Sequence, residues 1–303
     1  MSLEFDTHFQ PAHGEAVPVA EGVTRITVNN PGPFTFHGTN SYLIGHDTLA
    51  VVDPGPDDPR HLQALLKAIA GRPVSHIFVS HTHRDHSPLA SALKEITGAT
   101  VLAEGPHRPA RPPRIGESHR LDASGDTAFQ PDARLPDNAL TKGDGWTVRT
   151  ILTPGHAANH AAFALEGTGI LFSADHVMAW STTVVAPPDG AMSDYMESLD
   201  RLIAREDSML LPGHGGPVTK PAAFMRALKA HRKMRERAIL DRIGKGDRTI
   251  KEMVEAIYRD TDPRLHAAAG LSVLAHLEDL VRHGLVATEG QAGIDGVYVL
   301  SGF

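Results

Sequence analysis

Not one of the 303 residues is cysteine. Disulfides and thiolate-held metals are therefore excluded, and any metal must be bound through nitrogen and oxygen. No apolar run approaches the roughly 20 residues that a membrane-spanning helix needs. The opening "MSLEFDTHFQ" has neither the basic start nor the apolar stretch of a signal peptide, so a cytoplasmic location without membrane association is expected. A G-x-S-x-G elbow is also missing, which argues against a covalent serine nucleophile. No internal repeat is evident. Aromatic residues are 5% of the chain, and in the last third they are not clustered, so that segment offers no platform for stacking bases.

Charge is short of one sign in places. Residues 1–220 carry a net −9 and residues 221–303 a net +2, which together give the chain its −7. Between Arg226 and Lys245, eight basic residues accompany two acidic ones. That stretch is a candidate for meeting an anion, including nucleic-acid phosphate, against the plainer reading of a solvated helix face.

What the chain does have is histidine, and its densest stretch is "SHTHRDH" at 80–86. The apolar run "HIFV" just before it reads as a buried strand, so the cluster starts where a strand ends. Side chains two apart on an extended segment face the same side. His81 and His83 can thus face one point, and Asp85 and His86, where the chain turns, a second. Imidazole and carboxylate are the ligands that zinc, iron and manganese accept. Three more positions repeat the layout of strand, sharp turn and candidate ligand: His156 in "TILTPGHAANH", Asp175 in "ILFSADHV" and His214 in "MLLPGHGG". Asp53, in "LAVVDPG", is either a further ligand or the carboxylate that orients a ligand histidine.

Apolar runs and helical stripes alternate along the first 220 residues, which predicts a layered α/β domain. Residues 105–141 interrupt the rhythm with Pro, Arg and Asp and read as a long surface insertion, with His107 and His119 solvated. The last third changes character. A long helix over 223–243, helices over 249–260 and 270–284, and two short strands predict a small winged-helix domain over 221–303.

H-x-H-x-D-H followed by His, Asp and His on successive strand ends resembles the metallo-β-lactamase superfamily, over about residues 20–220. The resemblance implies a four-layer αββα sandwich with two divalent metal ions, zinc by preference and iron or manganese as alternatives. His81, His83 and His156 would hold the first metal, and Asp85, His86 and His214 the second. Asp175 would bridge them, and Asp53 would match a buried aspartate that supports a ligand. "NNPGPFTFHGTNSYLIG", "VVDPG", "SDYMESLDRL", "LLPGHGGPV" and "HRKMRER" are similar to the β-lactamase-like protein 2 group, near glyoxalase II. Animal members of that group cut single-stranded RNA, and related sequences are thioesterases acting on carrier-bound acyl chains. The chain departs from the group in having "SPLA" after the cluster and a longer 105–141 stretch.

The expected activity is hydrolysis by a hydroxide shared between two metals, with Asp85 orienting it and passing a proton to the leaving group. Two substrate classes follow. One is RNA, met through the basic 226–245 helix; the other is a small-molecule thioester or ester of glyoxalase II type. A reading from another class is a metal-sensing winged-helix regulator that binds DNA.

Overall fold

The computed structural model describes residues 3–114, 117 and 125–302. His119 lies outside the described residues. Strands β1 (Val17–Ala20), β2 (Val23–Thr27), β3 (Asn40–Ile44), β4 (Leu49–Val52), β5 (Val74–Val79), β6 (Thr100–Ala103) and β7 (Ala133–Arg134) form one sheet in chain order. It is antiparallel as far as β4 and parallel from β4 to β7. The second sheet runs β12-β11-β10-β9-β8, made of β8 (Leu140–Lys142), β9 (Thr147–Leu152), β10 (Ala161–Leu165), β11 (Ile170–Ala174) and β12 (Met209–Pro212).

Why the strands read as continuous apolar runs is explained by what covers them. Tyr42, Val52, Phe78 and Leu102 of the first sheet face Phe163, Phe172 and Leu211 of the second. The residues that alternate with them, including Leu43, Val51, Ile77 and Val101, pack outward on helices α1 (Pro59–Ile69) and α2 (Leu89–Thr97). On the far side, Ala162, Leu171 and Leu210 pack on α3 (Met192–Ile203) and the first half of α4 (Pro221–Gly244). Both faces of the central strands are buried, so those strands are largely apolar on both sides. The result is four layers, helix–sheet–sheet–helix, as the family resemblance implies.

The helices begin and end on local signals. Asp58 caps α1 by accepting from Arg60 N, with Pro59 at the first position, and Gly98 closes α2 in the left-handed conformation. Helix α5 (Ile250–Ile257) starts on a reciprocal Thr249–Glu252 capping box. It packs with α6 (His266–Arg282), the end of α4 and the hairpin β13 (Val286–Thr288) and β14 (Tyr298–Leu300) around Met253, Leu274 and Tyr298. Helix α4 belongs to both cores: Met225 and Leu228 enter the sandwich, Ile239 and Ile243 the C-terminal unit. No helix among the described residues is long and apolar enough to cross a membrane.

The reading of 105–141 as a surface insertion needs correction. Its second half joins the sandwich: β7 pairs with β6, β8 pairs with β9, and Phe129 and Leu135 are buried. Strands of two and three residues carry no periodicity of their own; the neighbouring strand creates them. His107 is half-buried rather than free in solvent, with its Nδ1 2.9 Å from Thr82 Oγ1.

Phe163 is fully buried between the sheets, with its ring 5.2 Å from Phe78. Phe163→Ala is expected to cost about 3–5 kcal/mol, read as a lower urea midpoint. A midpoint equal to the wild type would show that this layer does not hold the sandwich together.

Candidate metal centre

Asp53 leaves β4, Ser80 and His81 leave β5, His156 follows β9, Asp175 follows β11 and His214 follows β12. All five strands point the same way, so their ends open on one edge of the sandwich. Two backbone bonds join the sheets there: Ala161 N donates to Ser80 O at 2.8 Å, and Asn40 N to Gly213 O at 2.7 Å. The turns are conformationally demanding. Asp53 has φ +50°, and Ala174, just before Asp175, has φ +43°. Strained backbone of this kind is held in place only by strong surroundings.

Seven predicted side chains meet at this edge. The ligand atoms of His81, His83 and His156 lie within 4.8 Å of one another, and so do those of Asp85, His86 and His214, and those of His81, His86 and Asp175. Asp175 touches both ends: its Oδ1 is 3.5 Å from His86 Nε2, and its Oδ2 is 3.6 Å from His156 Nε2 and 3.3 Å from His214 Nε2.

Each histidine is anchored through its outward nitrogen. His86 Nδ1 is 3.0 Å from Asp53 Oδ2, and His81 Nδ1 is 3.0 Å from Ser80 Oγ, which itself donates to Asp53 Oδ2 at 2.7 Å. His156 Nδ1 donates to Val184 O at 2.7 Å and His214 Nδ1 to Gly38 O at 3.2 Å. His83 is held through Nε2 by Asp189 Oδ2 at 2.7 Å, so its Nδ1 is the inward atom. An acceptor on one ring nitrogen fixes the tautomer and leaves the lone pair of the other facing inward. Three such nitrogens converge: His83 Nδ1 is 3.0 Å from both His81 Nε2 and His156 Nε2.

The electrostatics fit a cation. Burial, together with neighbouring imidazoles, drives His81 well below the ordinary histidine range and His156 down to about 4, so both are neutral. Burial opposes ionisation of Asp85 and Asp175, but His86 and His214 outweigh it and hold both carboxyls well below their usual range. Burial likewise opposes charge on His86 and His214, and Asp85 and Asp175 overcome it, raising His86 strongly and His214 to about 9. His86 Nε2 and Asp175 Oδ1 are buried 3.5 Å apart and, among the described residues, neither has a well-formed hydrogen bond. Buried polar atoms satisfied so poorly are costly unless a ligand takes them. Nitrogen and carboxylate donors in this arrangement suit a pair of divalent ions.

Two contributors escape the sequence. Thr39 Oγ1 donates to Asp85 Oδ2 at 3.1 Å, and Asp189 anchors His83. Neither sits after an apolar strand beside a histidine, which is the signal for the others. His160 and His176 neighbour the cluster without facing its centre. The ring of His160 lies 5.1 Å from His81 and that of His176 4.6 Å from Tyr195.

A cavity of about 340 Å³ opens on the cluster. His83, Asp85, His156, Asp175 and His214 form its floor, and Phe34, Met178, Val184, Ala186 and Pro187 its walls. Arg84 stands exposed at the rim, with Nε donating to Gly125 O at 3.2 Å.

Two measurements test the geometry. A Cβ on Gly213 would lie 2.4 Å from Asp175 Oδ1 and 2.7 Å from His86 Cε1. Gly213→Ala is expected to weaken metal binding ~10-fold or more while the far-ultraviolet circular dichroism is unchanged. Wild-type metal affinity would contradict the assignment of Asp175 and His86. Second, His214 and His86 carry protons at pH 7 in the metal-free chain, and a metal must displace them. Zinc binding is expected to release protons at pH 7 and to tighten as pH rises towards about 9. Calorimetry in buffers of different ionisation enthalpy counts those protons; a count of zero would refute the pairing.

The comparisons agree with this geometry. Residues 34–214 match the metallo-beta-lactamase superfamily, and residues 249–294 match the beta-lactamase associated winged helix domain. The chain is 28% identical over 286 residues to the beta-lactamase-like protein 2 homolog of Caenorhabditis elegans, covering 92% of this chain and 90% of that one. It is 26% identical over 307 residues to an atrochrysone carboxyl ACP thioesterase of Aspergillus novofumigatus, covering 94% and 86%. The crystal structure of a metallo-beta-lactamase family protein from Thermus thermophilus superposes with a TM-score of 0.75 at 26% identity, over 93% of this chain and all of that one. The strand-end cluster, the four layers and these matches lead to one conclusion: the chain belongs to the metallo-beta-lactamase superfamily and is a hydrolase of that fold.

Proposed function

We propose that the protein is a binuclear metal-dependent hydrolase of thioesters or esters, with residues 1–220 as the catalytic domain and 221–303 as a second domain that shares α4. The observation that carries the choice of substrate is the apolar wall of the cavity, formed by Phe34, Met178, Val184, Ala186 and Pro187 directly above the histidine cluster. An acyl group desolvates well against such a surface, whereas a phosphodiester does not.

Much of the basic helix, which favours RNA when read from the sequence, is already paired within the chain. Lys229 pairs with Asp200, Lys233 with Glu236, Arg242 with Asp247 and Lys245 with Asp241. Arg232 is buried and donates to Thr183 O, and the Arg235 guanidinium lies 4.1 Å over the Tyr258 ring. Such pairs contribute little stability, yet four acids set against eight bases weaken the field that a polyanion would meet. The acyl-carrier thioesterase named among the relatives supports the same reading.

His81, His83 and His156 would hold one ion; Asp85, His86 and His214 would hold the other, with Asp175 between them. When bound, the ions supply Lewis acidity and lower the pKa of water from about 15.7 to about 7. The remaining work belongs to the chain. The apolar wall seats the acyl group and excludes water around the reacting carbonyl. Asp85, steadied by Thr39 Oγ1, accepts a hydrogen bond from the attacking water and passes its proton to the leaving sulfur or oxygen. Arg84 is placed to meet an anionic part of a carrier group at the rim.

Metal-analysed protein is to be assayed in parallel on acyl thioesters of graded chain length and on single-stranded RNA, with Asp85→Ala as control. Thioester turnover that falls about 100-fold or more in the variant, with RNA intact, is the expected result. RNA cleavage that disappears in the variant, without thioester turnover, would replace this reading with a nuclease.

A further inference from the structure

Three segments distant in sequence meet on the outer side of the cavity. Asp189, which anchors His83, has its Oδ1 buried without a hydrogen-bond partner among the described residues, so the His83 bond and the backbone are what orient its side chain there. The backbone is held from two sides. Inside, Gly190 N donates to Ala186 O at 2.8 Å and Ala191 N to Gly155 O at 3.0 Å. Outside, Pro188 O accepts from Ala110 N at 2.8 Å and Arg111 N at 3.4 Å.

The side chain of Arg111 then turns to the C-terminal unit. It donates to Glu278 of α6 through Nε at 3.0 Å and Nη2 at 2.7 Å, and to Glu117 through Nη1 at 2.7 Å and Nη2 at 2.6 Å. Arg114 Nη1 adds a contact to Glu278 at 2.9 Å. The side chains of Arg111 and Glu278 are 21% and 18% exposed, so the ion pair is sheltered rather than freely solvated. A guanidinium gripped by two carboxylates is fixed in plane and angle, which a lone surface pair is not. The contacts run Glu278, Arg111, Pro188, Asp189, His83, and every link is a hydrogen bond or a peptide bond.

We infer that Arg111 and Glu278 are positioning residues through which helix α6 of the C-terminal unit sets the orientation of His83, and so the metal affinity of the His81–His83–His156 group. The helix acts on one of the two groups, because Asp189 touches His83 and none of Asp85, His86 or His214 is anchored by it. This rests on the metal assignment proposed above. Residues 110–114 and Glu117 thereby gain a function: they connect the C-terminal unit to the catalytic edge. Asp189 contributes by aiming an imidazole, and Arg111 by holding the loop that carries Asp189.

The test is titration of the metal-stripped full-length protein with cobalt(II), following visible absorption and stoichiometry for the wild type, His83→Ala, Asp189→Asn, Arg111→Gln, Glu278→Gln and the Arg111→Gln/Asp189→Asn double variant. Asp189→Asn is expected to weaken one cobalt by about 10–100-fold and to shift its spectrum. Arg111→Gln and Glu278→Gln are expected to weaken the same cobalt by about 10-fold, the lower end of that range, and leave the other unchanged. In the double variant, Arg111→Gln is expected to add little to Asp189→Asn, since both act on His83 by one route. Glu278→Gln leaves Arg111 its Glu117 partner and is the milder variant if Arg111→Gln does not fold. Wild-type affinities and spectra in both single variants would overturn the inference. So would equal weakening of both cobalt ions, or full additivity in the double variant. Two cobalt ions retained in His83→Ala would instead defeat the metal assignment, and the positioning role with it.

Discussion

Asp53 places a carboxylate where water hardly reaches, at 2% exposure, and meets the cost with three donors: Ser80 N at 2.7 Å, Ser80 Oγ at 2.7 Å and His86 Nδ1 at 3.0 Å. Through Ser80 it also holds His81. One buried side chain thus fixes the tautomer and aim of a histidine in each half of the cluster. Leaving such a carboxylate unpaired would cost several kcal/mol, so the strand ends of β4 and β5 must stay in register. The strained turn at Asp53 is held by the same bonds, and Gly55 follows it at φ +98°, where a Cβ would lie 2.9 Å from His61 Cδ2.

The rest of the architecture serves that edge. Burial on both faces makes the sheets rigid, and rigid sheets deliver their strand ends to fixed positions. Loops then supply what the strands cannot. Val184 O and Gly38 O, both backbone carbonyls, orient His156 and His214. Residues 186–191 supply an apolar wall and the aspartate behind His83. On the proposed reading, substrate choice depends on the loops and the reaction class on the strand ends.

Helix α4 illustrates how folding adds partners to a charge that a sequence count leaves open. Eight basic residues in one short stretch suggest a polyanion partner. In the folded chain the acids that answer four of them come from α3, from α4 itself and from the turn after it. Glu236 and Asp241 already stand in the count along the chain and Asp247 lies just beyond it, but Asp200 approaches Lys229 only when α3 packs on α4.

The family, the layered fold and the group of seven polar residues are legible in the amino-acid order alone, because each of those residues follows an apolar strand or lies in one dense motif whose local chemistry is visible in a few letters. The C-terminal helices and hairpin are legible too, since their periodicity and caps are local. Strands β7 and β8 emerge only on folding, through pairing with β6 and β9. Thr39, Asp189 and the Arg111–Glu278 link stay hidden for the same reason: Asp189 is 106 residues from His83 in the chain and Glu278 is 167 from Arg111. Ligand types and their spacing along a strand are written in the sequence. The contacts that aim those ligands are made across the fold, by groups whose meaning depends on what the sandwich places beside them.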